Sequence, residues 1–295
     1  MPLAPDRRAL ALAVLIAALA AAAPTARAQS LGLGGSDDQT PVEVLADNGI
    51  EWMRDGKRFV ARGNASATRG DTTVYADTLT AHYREGAGGK SELWRLDADG
   101  HLRIVSPDET ATGDTAVYDL DSKVLVLKGK PVAKLVTPDT VITAKDTLEY
   151  WSEKRFAVAR GDAFVSREGR TLTADVLTAH FASQSGPKPA KPQKGANTGR
   201  VELVDAFGHV MIKTKTETVT GDRGRYNAKT GIATILNNVT LTRDKDSLKG
   251  EYAVVDLNTG VSTLYASAPG AKVEKPAPVR GVFTPKKADP VPGAR

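Results

Sequence analysis

Residues 74–83 read VYADTLTAHY, and residues 172–181 read LTADVLTAHF, nearly the same phrase 98 positions later. In both copies apolar or small residues stand three and one positions before the aspartate (Val74 and Ala76; Leu172 and Ala174). They stand again two and four positions after it (Leu79 and Ala81; Leu177 and Ala179). Spacing by two places side chains on one face of a pleated strand, whereas a helix needs 3.6. The parity slips by one at the aspartate, so a strand that keeps both sets facing inward needs a bulge or sharp bend there.

The phrase belongs to a longer series. An acidic residue follows a small one at Asp47, Asp77, Asp114, Asp175, Asp222 and Glu251, and Asp146 joins them behind Lys145. Between these lies a second anchor, Gly63, Gly100, Gly129, Gly161, Gly208 and, in the sixth place, Asn237. From second anchor to next acid the count is 14, 14, 17, 14, 14, 14; from acid to second anchor it is 16, 23, 15, 15, 33, 15. The two long values mark insertions near 84–92 and 183–200, each in the middle member of a set of three. The six units therefore read as a duplicated half, with halves at about 42–141 and 142–266.

Around the second anchor the alternation is strict, as in Phe59, Ala61, Ala65 and Ala67 about Gly63 and Val204, Ala206, Val210 and Ile212 about Gly208. Turn-prone RDGK (54–57), DLDS (119–122), AKTG (228–231) and LNTG (257–260) separate paired strands as hairpins do. The expected fold is all-β, an open twisted antiparallel jelly roll of about 14–16 strands over 42–268. A parallel β-solenoid is the alternative, disfavoured because inward residue types vary freely and build no stacked ladder. A bend at each acid passes a strand from one sheet to the other.

Residues 1–28 carry Arg7 and Arg8, an apolar run from Ala9 to Ala23, and Ala26-Arg27-Ala28, the layout of a cleavable secretory signal. Residues 29–41 are expected to be a flexible lead-in. The chain has no cysteine, so an exported product is held by burial and not by disulfides. Formal net charge is +5 over the full sequence, too near balance to favour nucleic acid. The stretch 183–200 and the Pro-rich tail 269–295 concentrate cations without hydrophobic period, and both are expected to lack a packed core.

Catalysis finds no support: no phosphate loop is present, and the four histidines pair by position, His82 with His180 and His101 with His209. Matched imidazoles on an outward face could meet a metal, but duplication alone accounts for the match. No enzyme activity, metal or cofactor is expected.

Segments such as ATGDTAVYDLDSKVLVLKG (111–129) and VTGDRGRYNAKTGIATILNNVTLTR (219–243) resemble the OstA-like domain of the lipopolysaccharide-transport proteins. The resemblance covers about 44–266, and the layout is most similar to that of the periplasmic bridge component. It implies a periplasmic protein whose apolar interior holds the acyl chains of lipid A. It also implies terminal edge strands that join inner- and outer-membrane transport proteins or further copies head to tail. An apolar interior is what such cargo needs, since each methylene exposed to water costs about 0.8 kcal/mol and a ~12-carbon chain roughly 10 kcal/mol. Candidate lining residues are Phe59, Leu79, Ile104, Leu127, Leu148, Val165, Leu177, Ile212, Ile235 and Leu241. An envelope scaffold of repeats that binds no lipid is the competing expectation.

Overall fold

A computed structural model describes residues 42–86, 91–182, 201–271 and 277–284. The expected signal at 1–28, the lead-in at 29–41 and the basic insertion at 183–200 lie outside these residues. The described chain is β throughout, with strands and turns and no helix.

The eighteen strands are β1 (Glu43–Leu45), β2 (Ile50–Met53), β3 (Arg58–Arg69), β4 (Thr72–Glu85), β5 (Ser91–Ser106), β6 (Glu109–Asp119), β7 (Val124–Lys128), β8 (Ala133–Val136) and β9 (Thr140–Ala144). They continue as β10 (Thr147–Trp151), β11 (Phe156–Arg167), β12 (Arg170–Phe181), β13 (Val201–Lys213), β14 (Thr218–Asn227), β15 (Ile232–Arg243), β16 (Asp246–Asp256), β17 (Val261–Tyr265) and β18 (Arg280–Val282). Every pairing is antiparallel, which excludes the solenoid. Within the tail expected to be without regular structure, Arg280–Val282 add a strand to β16.

The sheet is one continuous surface folded along a crease. The N-terminal part of β3 pairs with β2 and its C-terminal part with β1. Likewise β6 pairs with β7 at one end and β8 at the other, β11 with β10 and β9, and β16 with β17 and β18. Ten long strands therefore cross from one wall to the other. Wall one is completed by β2, β7, β10 and β17, and wall two by β1, β8, β9 and β18. The turns form two rims. RDGK, DLDS, AKTG and LNTG all fall on the rim of wall one, where they close hairpins as their residues predict.

The crease is made by the two repeated anchors. At each crossing two residues oppose one: Arg62 pairs with Thr78 and Ala65 with Ala76, so Gly63 and Asn64 face Asp77 alone. The same step recurs at Gly100-His101, Gly161-Asp162, Gly208-His209 and Asn237-Asn238. The sequence places the extra residue at the acid; the register places it on the glycine strand, and the acid strand changes parity to stay level. Both bulge residues adopt left-handed backbone, as at Gly100 (φ 80) and His101 (φ 44). A Cβ on Gly100 would lie 2.0 Å from Asp77 Oδ2, and one on Gly208 2.0 Å from Asp175 Oδ2, so the carboxylate occupies the space that glycine leaves. Where the residue before the acid is glycine, close backbone or side-chain approach is the cause. A Cβ on Gly113 would come within 2.4 Å of the Lys128 carbonyl.

The alternating inward residues of both walls form one hydrophobic core from Val74 to Val255. Its largest fully buried members include Leu102, Leu135, Ile142, Leu148 and Ile235.

Candidate functional site

The alternation that builds the walls also decides what faces the space between them. In the first half that space is a cavity of about 480 Å³, within the roughly 300–1,000 Å³ span of ligand pockets. Its lining is overwhelmingly apolar: Val44, Ile50, Phe59, Val74, Leu79, Leu93, Leu96, Ile104 and Leu125, with the small Ala61, Ala67, Ala81, Ala98 and Ala116 between them. Alanines at alternate positions keep the walls from filling the gap with their own side chains. Tyr83 and Tyr118 add aromatic edges, and Arg69 brings a cation to the rim of wall two.

Of the ten residues singled out from sequence, Phe59, Leu79 and Ile104 line this cavity. Leu127, Leu148, Val165, Leu177, Ile235 and Leu241 are buried in the core, and Ile212 packs against it half-buried. The structure also brings Val44, Ile50 and Tyr118 to the lining, none of them among those ten. Val44 and Ile50 sit in the short terminal strands expected as edges, and Tyr118 stands four positions after Asp114, on the inward parity that is the signal for it.

The two halves treat the same motif differently. Leu79, Ala81, Tyr83 and Leu96 are half-buried, whereas their counterparts Leu177, Ala179, Phe181 and Val204 are buried. The second half is packed with its own side chains where the first leaves room.

The histidines belong to the outside of the sheet, each beside an aspartate of a neighbouring strand. His101 Nδ1 lies 2.9 Å from Asp77 and His209 Nδ1 3.0 Å from Asp175, across the crease bulges. Asn64 and Asn238 donate to Asp47 and Asp222 in the same manner, at 2.7 and 2.8 Å. The hydrogen bond that the His209 ring donates to the Asp175 carboxylate, together with the charge of that carboxylate, raises the His209 pKa above 6.5. His82 Nε2 is 2.8 Å from Asp97 and His180 Nε2 3.9 Å from Asp205. His101 and His209 thus brace matched bends, and among the described residues no group of three or more histidine, aspartate or glutamate side chains is placed to hold a metal.

Both ends of the sheet expose apolar side chains. Leu45, Ile50 and Trp52 do so on β1 and β2, and Val261, Tyr265 and Val282 on β17 and β18. The directions of these strands match. β1 runs from the rim to the crease and β2 from the crease to the opposite rim; β17 runs from that opposite rim to the crease and β18 onward to the first.

The profile of a family described as LptA/(LptD N-terminal domain) LPS transport protein matches the chain twice, over residues 43–147 and 141–261. An uncharacterised protein of Rhizobium meliloti (strain 1021) is 32% identical in an alignment of 131 residues that covers 42% of this chain and 69% of that protein. Among solved structures, LptH, the LptA homologous periplasmic component of the lipopolysaccharide transport device from Pseudomonas aeruginosa, aligns at 18% identity with a TM-score of 0.40. That alignment covers 50% of this chain and 95% of LptH.

Proposed function

The chain belongs to the LptA/(LptD N-terminal domain) family of lipopolysaccharide-transport proteins, and from that premise we propose that it is a periplasmic carrier. It shields the acyl chains of lipopolysaccharide between its two walls and bridges the inner- and outer-membrane parts of the export route. The observation that carries this reading is the apolar cavity of the first half, left unfilled where alanines line its walls. Transfer of several acyl chains through water costs roughly 10 kcal/mol for each ~12-carbon chain, and a lining of this kind removes that cost.

The strand directions support the bridge. When β1 and β2 of a second copy, or of a homologous domain, are laid against β17 and β18, they are antiparallel in both walls at once. One docking event then extends the crease and both rims. Each wall carries fourteen strand segments, and at ~4.8 Å between neighbours one copy contributes roughly 60 Å of covered path.

A photo-crosslinking residue at Phe59 or Ile104 is expected to capture lipopolysaccharide in cells, and one at the outward-facing Arg103 is not. Failure of every lining position to capture lipid, with the protein folded and exported, sinks the carrier reading. A scaffold that binds no lipid would also purify free of fatty material.

A further inference from the structure

The duplicated halves share a buried acid that is anchored in one and stranded in the other. Glu109 and Glu217 each stand five residues before a crease acid, Asp114 and Asp222, on the rim of wall two, and both are buried. Glu217 Oε2 accepts a hydrogen bond from Arg243 at 2.9 Å, and its Oε1 accepts one from the Ser262 hydroxyl at 2.8 Å. Ser262 lies on β17 in wall one, so this carboxylate ties the walls together across the mouth of the space between them.

The pairing register identifies the positions that correspond around Glu109, the second of them just past the boundary between the halves. Thr218 pairs with Thr242 as Thr110 pairs with Val136, so Arg243 corresponds to Thr137. Val255 pairs with Ser262 as Tyr150 pairs with Ala157, so Ser262 corresponds to Ala157. Neither replacement serves the acid. The Thr137 hydroxyl is spent on Asp139 and Thr140, alanine has no donor, and Glu109 Oε2 is buried without a hydrogen-bond partner among the described residues.

We propose that Glu217, Arg243 and Ser262 form a latch that fastens wall one to wall two in the second half, and that its absence from the first half sets where the space between the walls opens sideways. The exposure of the repeated motif agrees, with Leu177 and Phe181 buried behind the latch and Leu79 and Tyr83 half-buried where it is missing. An acyl chain that enters from the side does so through the first half, and the second half takes it only lengthwise or after the latch parts. That last consequence rests on the carrier reading; the latch itself is tested on the chain alone.

The chain has no cysteine, so paired spin labels can be placed without background. Labels at Lys215 and Thr259 report the latched mouth, and labels at the corresponding Pro107 and Lys154 the unlatched one; all four side chains are exposed. The expected result is one narrow distance distribution for the first pair and a broader one for the second. Ser262→Ala and Glu217→Gln should each raise the open population at the first pair by roughly tenfold, as loss of a hydrogen bond to a charged group implies. Thr137→Arg with Ala157→Ser should narrow the second pair. Circular dichroism verifies the fold of each variant, and Ser262→Ala, the mildest change, keeps the test usable if Glu217→Gln unfolds. A 215/259 distribution unmoved by Ser262→Ala, or two wild-type distributions of equal width, overturns the proposal.

Discussion

Replacing Glu109 with glutamine isolates the energetic consequence of burying a carboxyl without a partner. Burial pushes its pKa from 4.5 to about 7, with the negative charge of Asp108 adding to the effect. The folded chain therefore binds this proton more tightly than the unfolded chain does between those two values, and stability falls as pH rises through that window. Integrated over the two pKa values, ionisation of Glu109 costs the fold about 1 kcal/mol at pH 5 and about 3 kcal/mol at pH 8. Burial raises the pKa of the Tyr150 phenol on the opposite wall; the nearby Arg155 guanidinium opposes that shift and the Glu109 charge adds to it. Glutamine cannot ionise, so other titrating groups cancel when the two proteins are compared. Urea unfolding followed by the fluorescence of Trp52, Trp94 and Trp151 should show the variant gaining roughly 2.5 kcal/mol on wild type between pH 5 and pH 8. Parallel stability profiles across that range would refute the burial of an unpartnered charge at this position, and with it the contrast to Glu217.

Gly100→Ala should lower stability by about 1–3 kcal/mol, because a left-handed backbone must then carry a Cβ where the Asp77 carboxylate already sits; thermal unfolding measures it, and an unchanged midpoint counts against the crease geometry. His209 should titrate above 6.5 by NMR and return toward it in Asp175→Asn. Its contribution to stability is complete below the unfolded value and disappears as pH rises through the higher folded one. Trp52→Lys or Tyr265→Lys should shift any self-association toward monomer in analytical ultracentrifugation, since a charged edge repels an incoming strand; equal sedimentation of wild type and variants would rule out these edges.

The walls and the crease were legible because they depend on local chemistry. Period-two alternation about Gly63 or Gly208 dictates inward faces, and the rim turns need only their own four residues. The partnership of the two anchors was half visible. Their spacing was regular, yet it takes the register to show that Asp77 fills the space left by Gly100, 23 residues on. The openness of the site was not legible at all. Leu79 and Leu177 lie in almost identical phrases, and one lines a cavity while the other is buried. What separates them is long-range, a carboxylate at 217 meeting a hydroxyl at 262. For the same reason most of the residues chosen as lining are packed in the core. Side-chain direction follows from parity, but whether the opposite wall stands close or far does not.

Because each of the ten long strands runs unbroken through both walls, the covalent chain itself is the binding of the book. Neither cover can slide past the other without breaking the hydrogen bonds of every page, so shear is a prohibitively stiff mode. The soft motion left is a change of dihedral angle at the spine, where paired left-handed residues interrupt the ladder at a line of fixed positions. Room for a bulkier occupant would therefore be gained in width and not in length, while the spacing of positions along the spine stays constant.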